Sequence, residues 1–473
     1  MRFLLKLAAA TSMAGPLSLA YAHSQATDGV RVPAHERVVF DNGMTLLIMP
    51  RRDVPLIAFT AVVRGGSLAD PQDKPGVAGM VAGLLEKGAD ERDAYAFADA
   101  VEGAGGSFSA SAGAEAITVS GQFLARDQDL MLDLLTDALL RPRFEPSEFE
   151  KLRERRIELI KAAKDSDPSE LIGTYGRAFL FEGHPYSTPV MGSEGSLSRM
   201  THEDVLNYYR TQFGADRVTL VFAGDVDVSS LKRSVRKYFG GWKRAASPPP
   251  KLTEPSRVQQ TRVLLVDSPG SVQTYFWIGN VGVNKRYPQR AALDLVNTLY
   301  GGRFTSLLNT ELRVKSGLTY GARSGFTRGT VPGEFSIRSF TQTENTEKAL
   351  DLTLQTLQQL HVDGISEAML ESARAYVLGQ YPLSFETAAD WAGTLAELEL
   401  FGLSRDYIDG YGPALRKVTL QDARNVIDQV FPSPKSLAIV LIGDAARIRD
   451  AVKKYGPVIE MPITHPAFSP PKH

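Results

Sequence analysis

Residues 218–240 read VTLVFAGDVDVSSLKRSVRKYFG: an apolar, β-branched run, a Gly-Asp step, then apolar residues three and four apart with basic residues between them. The pattern predicts a buried strand followed by an amphipathic helix. It returns at residues 437–456, LAIVLIGDAARIRDAVKKYG. Each copy follows a helix-period segment that opens on Thr as N-cap and closes on Phe, THEDVLNYYRTQF from Thr201 and TLQDARNVIDQVF from Thr419. Two aligned elements at a period of roughly 220 residues are too widely spaced for a solenoid and indicate a duplicated domain.

Elsewhere in the first half, alternation predicts a hairpin over 38–49 around Asp41-Asn42-Gly43, a buried strand over 56–63 and a strand over 117–123. Helix periodicity covers 76–87, 92–103, 127–140 and 146–164. In the second half, 309–315 reads as a helix end, Ser316-Gly317 as a turn and 318–324 as a strand. A helix over 390–403 carries Trp391, Leu395, Leu398 and Leu400 as core residues. Helix runs segregated between strand runs predict an α+β protein of two homologous α/β sandwich domains, each roughly 210–220 residues. Residues 243–256, KRAASPPPKLTEPS, lack periodicity and read as a Pro-rich linker, which sets the domains at 30–242 and 257–461.

Charge changes this picture little. The chain carries 53 Lys+Arg against 54 Asp+Glu in 473 residues, without a long single-sign run, so nucleic acid is not an expected partner. The N-terminus does add something. Arg2 and Lys6 precede an apolar stretch from Leu7 to Leu19, and Ala20-Tyr21-Ala22 is a small-x-small cleavage site. Residues 1–22 therefore read as a secretory signal peptide cut after Ala22, the alternative being a short N-terminal anchor, and a bacterial periplasm is the expected location. No later segment is apolar enough for a membrane span. The absence of cysteine leaves no thiol ligand, thiol nucleophile or disulfide.

The helix-period segment GVAGMVAGLLEKGAD, residues 76–90, carries a core stripe of Val77, Met80, Val81, Leu84 and Leu85. A zinc helix of the H-x-x-E-H type places two His four apart on one face, with a Glu beside the second to polarise water. The corresponding positions here are Gly79, Ala82 and Gly83, none of which binds metal or takes a proton. Glycine at two of them also suits close packing against a neighbour. No two of the seven His residues lie four apart, and His184, in Gly-His-Pro-Tyr, reads as structural.

The surroundings of this helix resemble the pitrilysin/insulinase family of zinc peptidases, in its processing-peptidase-like branch. Asn42-Gly43, Val54-Pro55, Gly66-Ser67, Gly76-Val77-Ala78 and Lys87-Gly88 stand where the family has its N-terminal pattern, and the likeness spans nearly the whole mature chain, duplication included. The resemblance places the family's third metal ligand around Glu158–Ile160, with Glu158 as its remnant. It is strongest at GGRFTSLLNTELRVKSGLTYGARSGF, residues 301–326, where Ser306, Leu307, Leu312, Arg313, Gly317, Leu318 and Tyr320 match. Carried over, Arg313 and Tyr320 are the pair that reaches a zinc site on another domain. A Tyr hydroxyl donates to the oxyanion formed when water attacks a peptide carbonyl, and the forked Arg anchors a substrate carbonyl. Gly301 and Gly302 read either as a backbone approach to the peptide or as a turn that needs positive φ.

In two-chain members of this family one subunit carries zinc and the other the Arg/Tyr pair. The resemblance therefore implies the non-zinc subunit of a heterodimeric zinc endopeptidase acting on unfolded peptides. Its partner would be a homologous subunit with an intact H-x-x-E-H; the cofactor, zinc, belongs to that partner and none to this chain. The alternative is an inert peptide-binding or structural scaffold relative.

Overall fold

The computed structural model describes residues 29–470; the signal-peptide segment lies outside the described residues. Two six-stranded sheets organise the chain. The first contains β1 (Glu36–Val39), β2 (Thr45–Pro50), β3 (Leu56–Arg64), β4 (Ser107–Ala112), β5 (Ala116–Leu124) and β6 (Val218–Gly224), in the order β1-β2-β6-β3-β5-β4. The second contains β7 (Arg262–Asp267), β8 (Gln273–Val281), β9 (Arg323–Phe326), β10 (Glu334–Gln342), β11 (Ala438–Gly443) and β12 (Val458–Pro462), in the order β9-β10-β8-β11-β7-β12. Read from the β12 edge, the strands β7, β11, β8, β10 and β9 repeat β2, β6, β3, β5 and β4. In each sheet the first of these pairs is parallel and the remaining three antiparallel. The two sheets thus confirm the duplicated α+β architecture. Only one outer strand differs: β1 is the near arm of a hairpin with β2, whereas β12 returns from the C-terminal end and runs parallel to β7.

Ten helices matter here: α1 (Val77–Leu84), α2 (Ala94–Gly103), α3 (Gln128–Leu140), α4 (Pro146–Ser166), α5 (Ile172–Leu180), α6 (His202–Gln212), α7 (Val228–Phe239), α8 (Ala388–Phe401), α9 (Leu420–Val430) and α10 (Ala445–Val452). α6 and α9 are the aligned pair. Each opens on a capping box, in which Asp204 accepts from the Thr201 amide at 2.7 Å and Asp422 from the Thr419 amide at 2.9 Å. The Gly-Asp steps are less alike: Asp444 caps α10 directly, but α7 is capped by Asp227, two residues beyond Asp225. α1 and α2 are shorter than their periodicity predicts. Gly88, at φ +104°, turns the chain out of the helix, and Asp93 starts the next one by accepting from the Ala96 amide.

The halves exchange helices. On the first sheet, Leu46, Ile48, Phe59 and Ala61 face the helices of their own half, while Leu47, Met49, Ala58, Val62 and Val221 face Trp391, Leu395 and Ala396 of α8, from the other half. On the second sheet, Val263, Leu265, Ile278 and Ile439 face their own helices, while Leu264, Val266, Trp277 and Val440 join the first half's core, where α5 packs on β8 and β11. Strands buried on both faces lose the usual alternation, which is why β3 reads as one apolar run. Gly176 of α5 permits the contact: a Cβ there would stand 2.4 Å from the Trp277 ring.

Candidate functional site

The face of α1 that would carry zinc ligands is closed. A Cβ at Gly79 would stand 2.5 Å from the Val190 carbonyl oxygen and 2.7 Å from Arg156 Nη1, and one at Gly83 would stand 2.9 Å from Leu152 Cδ2. Ala82 is buried. The Arg156 guanidinium, from α4, donates through Nη2 to the Gly79 carbonyl at 2.8 Å, and its buried Nη1 has no partner. Burial pulls this guanidinium below the usual arginine range. The residues present do not fit a zinc ion: ligand atoms are missing, and an arginine fills the space between α1 and α4.

Glu158 is not a remnant ligand in spatial terms. It faces solvent and pairs with Lys161 at 2.9 Å, while the α4 face against α1 presents Leu152 and Arg156 and the neighbouring Ile160 is buried. The helical period decides this, since 152 and 156 are four apart and share a face that 158 does not. His184 is structural, as read: Nδ1 accepts from the Tyr186 amide and Nε2 lies 2.8 Å from the Thr253 carbonyl of the linker segment.

Beside α1 runs β4, the open edge of the first sheet. Its sequence, SFSASA, holds neither charge nor proline, whereas the other three edge strands carry Glu36 and Arg37, Arg323, or Glu460 and Pro462. Natural sheet edges are usually protected by such residues. Here, among the described residues, the protection is a single side chain: Glu86 accepts from the Ala110 amide on the open side of β4. Burial pushes the Glu86 carboxyl up, and that hydrogen bond together with Lys87 pulls it down less strongly.

In the second half, Thr298–Gly302 and Thr310–Lys315 are π-helical turns, a rare form often found at functional sites. The first holds Gly301 and Gly302, the second Arg313. Neither glycine has positive φ, so the turn explanation fails. Gly301 is buried, and a Cβ there would stand 2.4 Å from Ser324 Oγ; Gly302 is exposed. The segment 318–322 is not strand, and β9 begins only at Arg323. The Leu318 and Thr319 amides turn back to the Leu312 carbonyl, and Thr319 Oγ1 binds Gly321, so this stretch folds onto the π-turn rather than entering the sheet ladder.

Tyr320 therefore sits in a loop, 76% exposed. The Cζ of Arg313 lies 4.6 Å from the centre of its ring and 4.8 Å from that of Phe304, itself 64% exposed. Exposed contacts of this kind contribute about 0.5–1 kcal/mol each. No carboxylate pairs with Arg313 among the described residues, so its donors remain available. Asn309 is the internal brace: buried, it donates to the Phe304 carbonyl at 2.7 Å and accepts from the Ala322 amide at 3.3 Å. The structure thus joins the expected Arg313 and Tyr320 and adds Phe304, Asn309, Arg156 and Glu86. Phe304 could have been noticed as an apolar residue in a polar turn; the others depend on contacts between distant segments.

Two family models match: Insulinase (Peptidase family M16) over residues 56–194 and Peptidase M16 inactive domain over residues 199–377. Among curated relatives, an uncharacterized zinc protease of Mycobacterium leprae is 28% identical over 71% of this chain and 75% of its own. The non-peptidase homolog YmxG of Helicobacter pylori is 23% identical over 77% and 83%. Among solved structures, a peptidase M16 inactive domain from Pseudomonas fluorescens superposes with a TM-score of 0.81 at 22% identity, covering 87% of this chain and 98% of that one. A protease from Helicobacter pylori gives 0.78 at 20% identity, covering 87% and 99%.

Proposed function

The chain belongs to the M16, or insulinase, family of peptidases, and from that premise we propose that it is the non-zinc subunit of a two-chain zinc endopeptidase, supplying Arg313 and Tyr320 in trans. One observation carries this reading. Arg313, half-buried, lies against the exposed ring of Tyr320 and has no carboxylate partner among the described residues, while the space beside the helix that would hold metal in the same chain is filled by Arg156. A chain with only the second half of the chemistry needs the first half from elsewhere.

The zinc, held by a homologous partner, would supply the activated water. In this chain Arg313 would hold a carbonyl of the peptide through its forked donors, and Tyr320 would donate a hydrogen bond to the oxygen on which charge develops. An unfolded peptide would bind as an added strand on a sheet edge, for which the uncharged β4 is suited. The chain would be exported through residues 1–22, work in a periplasm, and be inactive by itself.

The test is to purify the complex from its host through a tag on this chain and compare wild type with Tyr320→Phe. Loss of an oxyanion donor is expected to lower kcat by about 10²-fold with assembly unchanged. Undiminished turnover would reject the role of Tyr320. A purified chain that binds peptide without any zinc-bearing partner would instead support a capture module.

A further inference from the structure

We infer that Phe304 is a specificity residue of this site, the third wall beside Arg313 and Tyr320, and that it receives an apolar side chain next to the carbonyl held by Arg313. The inference rests on the in-trans reading above. Three observations lead to it. The ring is exposed between Arg303 and Thr305 and contributes nothing to the hydrophobic core of its half. It lies against the same guanidinium as Tyr320, at 4.8 Å beside 4.6 Å, so a group held by Arg313 is close to this ring. Its backbone is fixed: the buried Asn309 amide holds the Phe304 carbonyl at 2.7 Å and, through Ala322, the segment that follows Tyr320.

A large apolar side chain that stands in water on a fixed backbone, beside a cation without a carboxylate partner, is arranged for contact and not for stability. An extended peptide projects successive side chains to opposite faces. When Arg313 holds one of its carbonyls, one of the two flanking side chains must turn towards Phe304. An aromatic wall favours an apolar residue there and gives nothing to a small polar one. The substrate class that follows is an extended peptide with Leu, Phe or a similar residue flanking the cleaved bond.

The experiment uses the complex purified through a tag on this chain and two quenched fluorogenic peptides, identical except that the residues flanking the cleaved bond are Leu in one and Ser in the other. Phe304→Ala is expected to lower kcat/KM about tenfold for the Leu peptide and less than about threefold for the Ser peptide, with Phe304→Leu restoring most of the loss. An equal fall for both peptides, no fall for either, or dissociation of the complex would overturn the inference; dissociation would assign the ring to the subunit interface. Arg313→Ala and Tyr320→Phe run alongside. If they abolish turnover while Phe304→Ala fails to discriminate, only the role of Phe304 falls. If they leave turnover intact, or no zinc-bearing subunit is present, the in-trans reading falls and Phe304 with it.

Discussion

Arg156 and Gly79 meet across the α1–α4 contact at 2.8 Å, guanidinium to carbonyl, on the α1 face where an H-x-x-E-H motif would have to place its ligands. A metal site on this face is therefore opposed by packing as well as by the missing ligands. Arg156 fills the space beside Gly79, so installing the motif alone is expected to fail. The triple substitution Gly79→His, Ala82→Glu, Gly83→His should bind no zinc and should destabilise the fold, since overpacking costs about 1–3 kcal/mol per site. Urea unfolding with metal analysis of the dialysed protein checks both parts. Stoichiometric zinc at wild-type stability would show that the contact yields freely.

The exchange of α5 and α8 makes each half depend on the other. Trp391, from the C-terminal half, is buried on the first sheet beside Ala58 and Val221. Trp391→Ala should cost about 3–5 kcal/mol, as for other large core truncations. Its signature should appear across the chain: hydrogen exchange should quicken in β3 and β6, although the substitution is in α8. Faster exchange confined to residues 388–401 would count against this coupling.

Asp70 links the entry of α1 to pH. Its carboxylate accepts from the Gly76 and Ala78 amides at 2.7 Å each, yet burial outweighs those bonds and pushes its carboxyl up to about 7. The folded value lies above the unfolded one, near 3.9, so the folded state binds the extra proton between them. The stability contributed by Asp70 is complete below about pH 4 and is lost as pH rises through about 7. Asp70→Asn should remove that slope. Urea midpoints for both proteins from pH 4 to 8 should show wild type losing ground to the variant as pH rises; a constant difference would refute the shift.

How far these features were legible in the sequence differs by cause. The duplication was legible because Thr201 and Thr419 cap equivalent helices and the strands after them are unbroken apolar runs, both local signals. The burial of β3 on both faces was legible too, but its cover was not, since α8 lies more than 300 residues away in the chain. The helical spacing of Trp391 and Leu395 marks them as core residues, which they are, yet nothing local says whose core. Gly79, Ala82 and Gly83 showed what α1 cannot do; Arg156 became visible only once α4 was laid against it. β4 escaped notice because Ser and Ala are weak strand formers and its pairing with β5 is supplied by tertiary structure. Tyr320 was expected on a strand, but the amides around it turn back to Leu312.

Glu86 and Ala110 provide the last prediction. The other sheet edges carry charges or proline of their own, whereas β4 offers a bare backbone whose Ala110 amide is held by one carboxylate from the loop after α1. A peptide adding to β4 must replace that carboxylate with a carbonyl, so Glu86 competes with every incoming strand. A hydrogen bond to a charged acceptor contributes about 1.5–3 kcal/mol, enough to weaken strand addition at least tenfold. Glu86→Ala should therefore speed exchange of the Ala110 amide in the free protein and tighten binding of an unfolded peptide to the complex. Glu86→Gln, which keeps a weaker acceptor, should fall between. Because burial raises the Glu86 carboxyl, mild acid should loosen the wild-type bond and narrow the gap between wild type and Glu86→Ala. Faster exchange without tighter binding would mean that the peptide enters elsewhere, and unchanged exchange would mean that the Ala110 amide finds another acceptor.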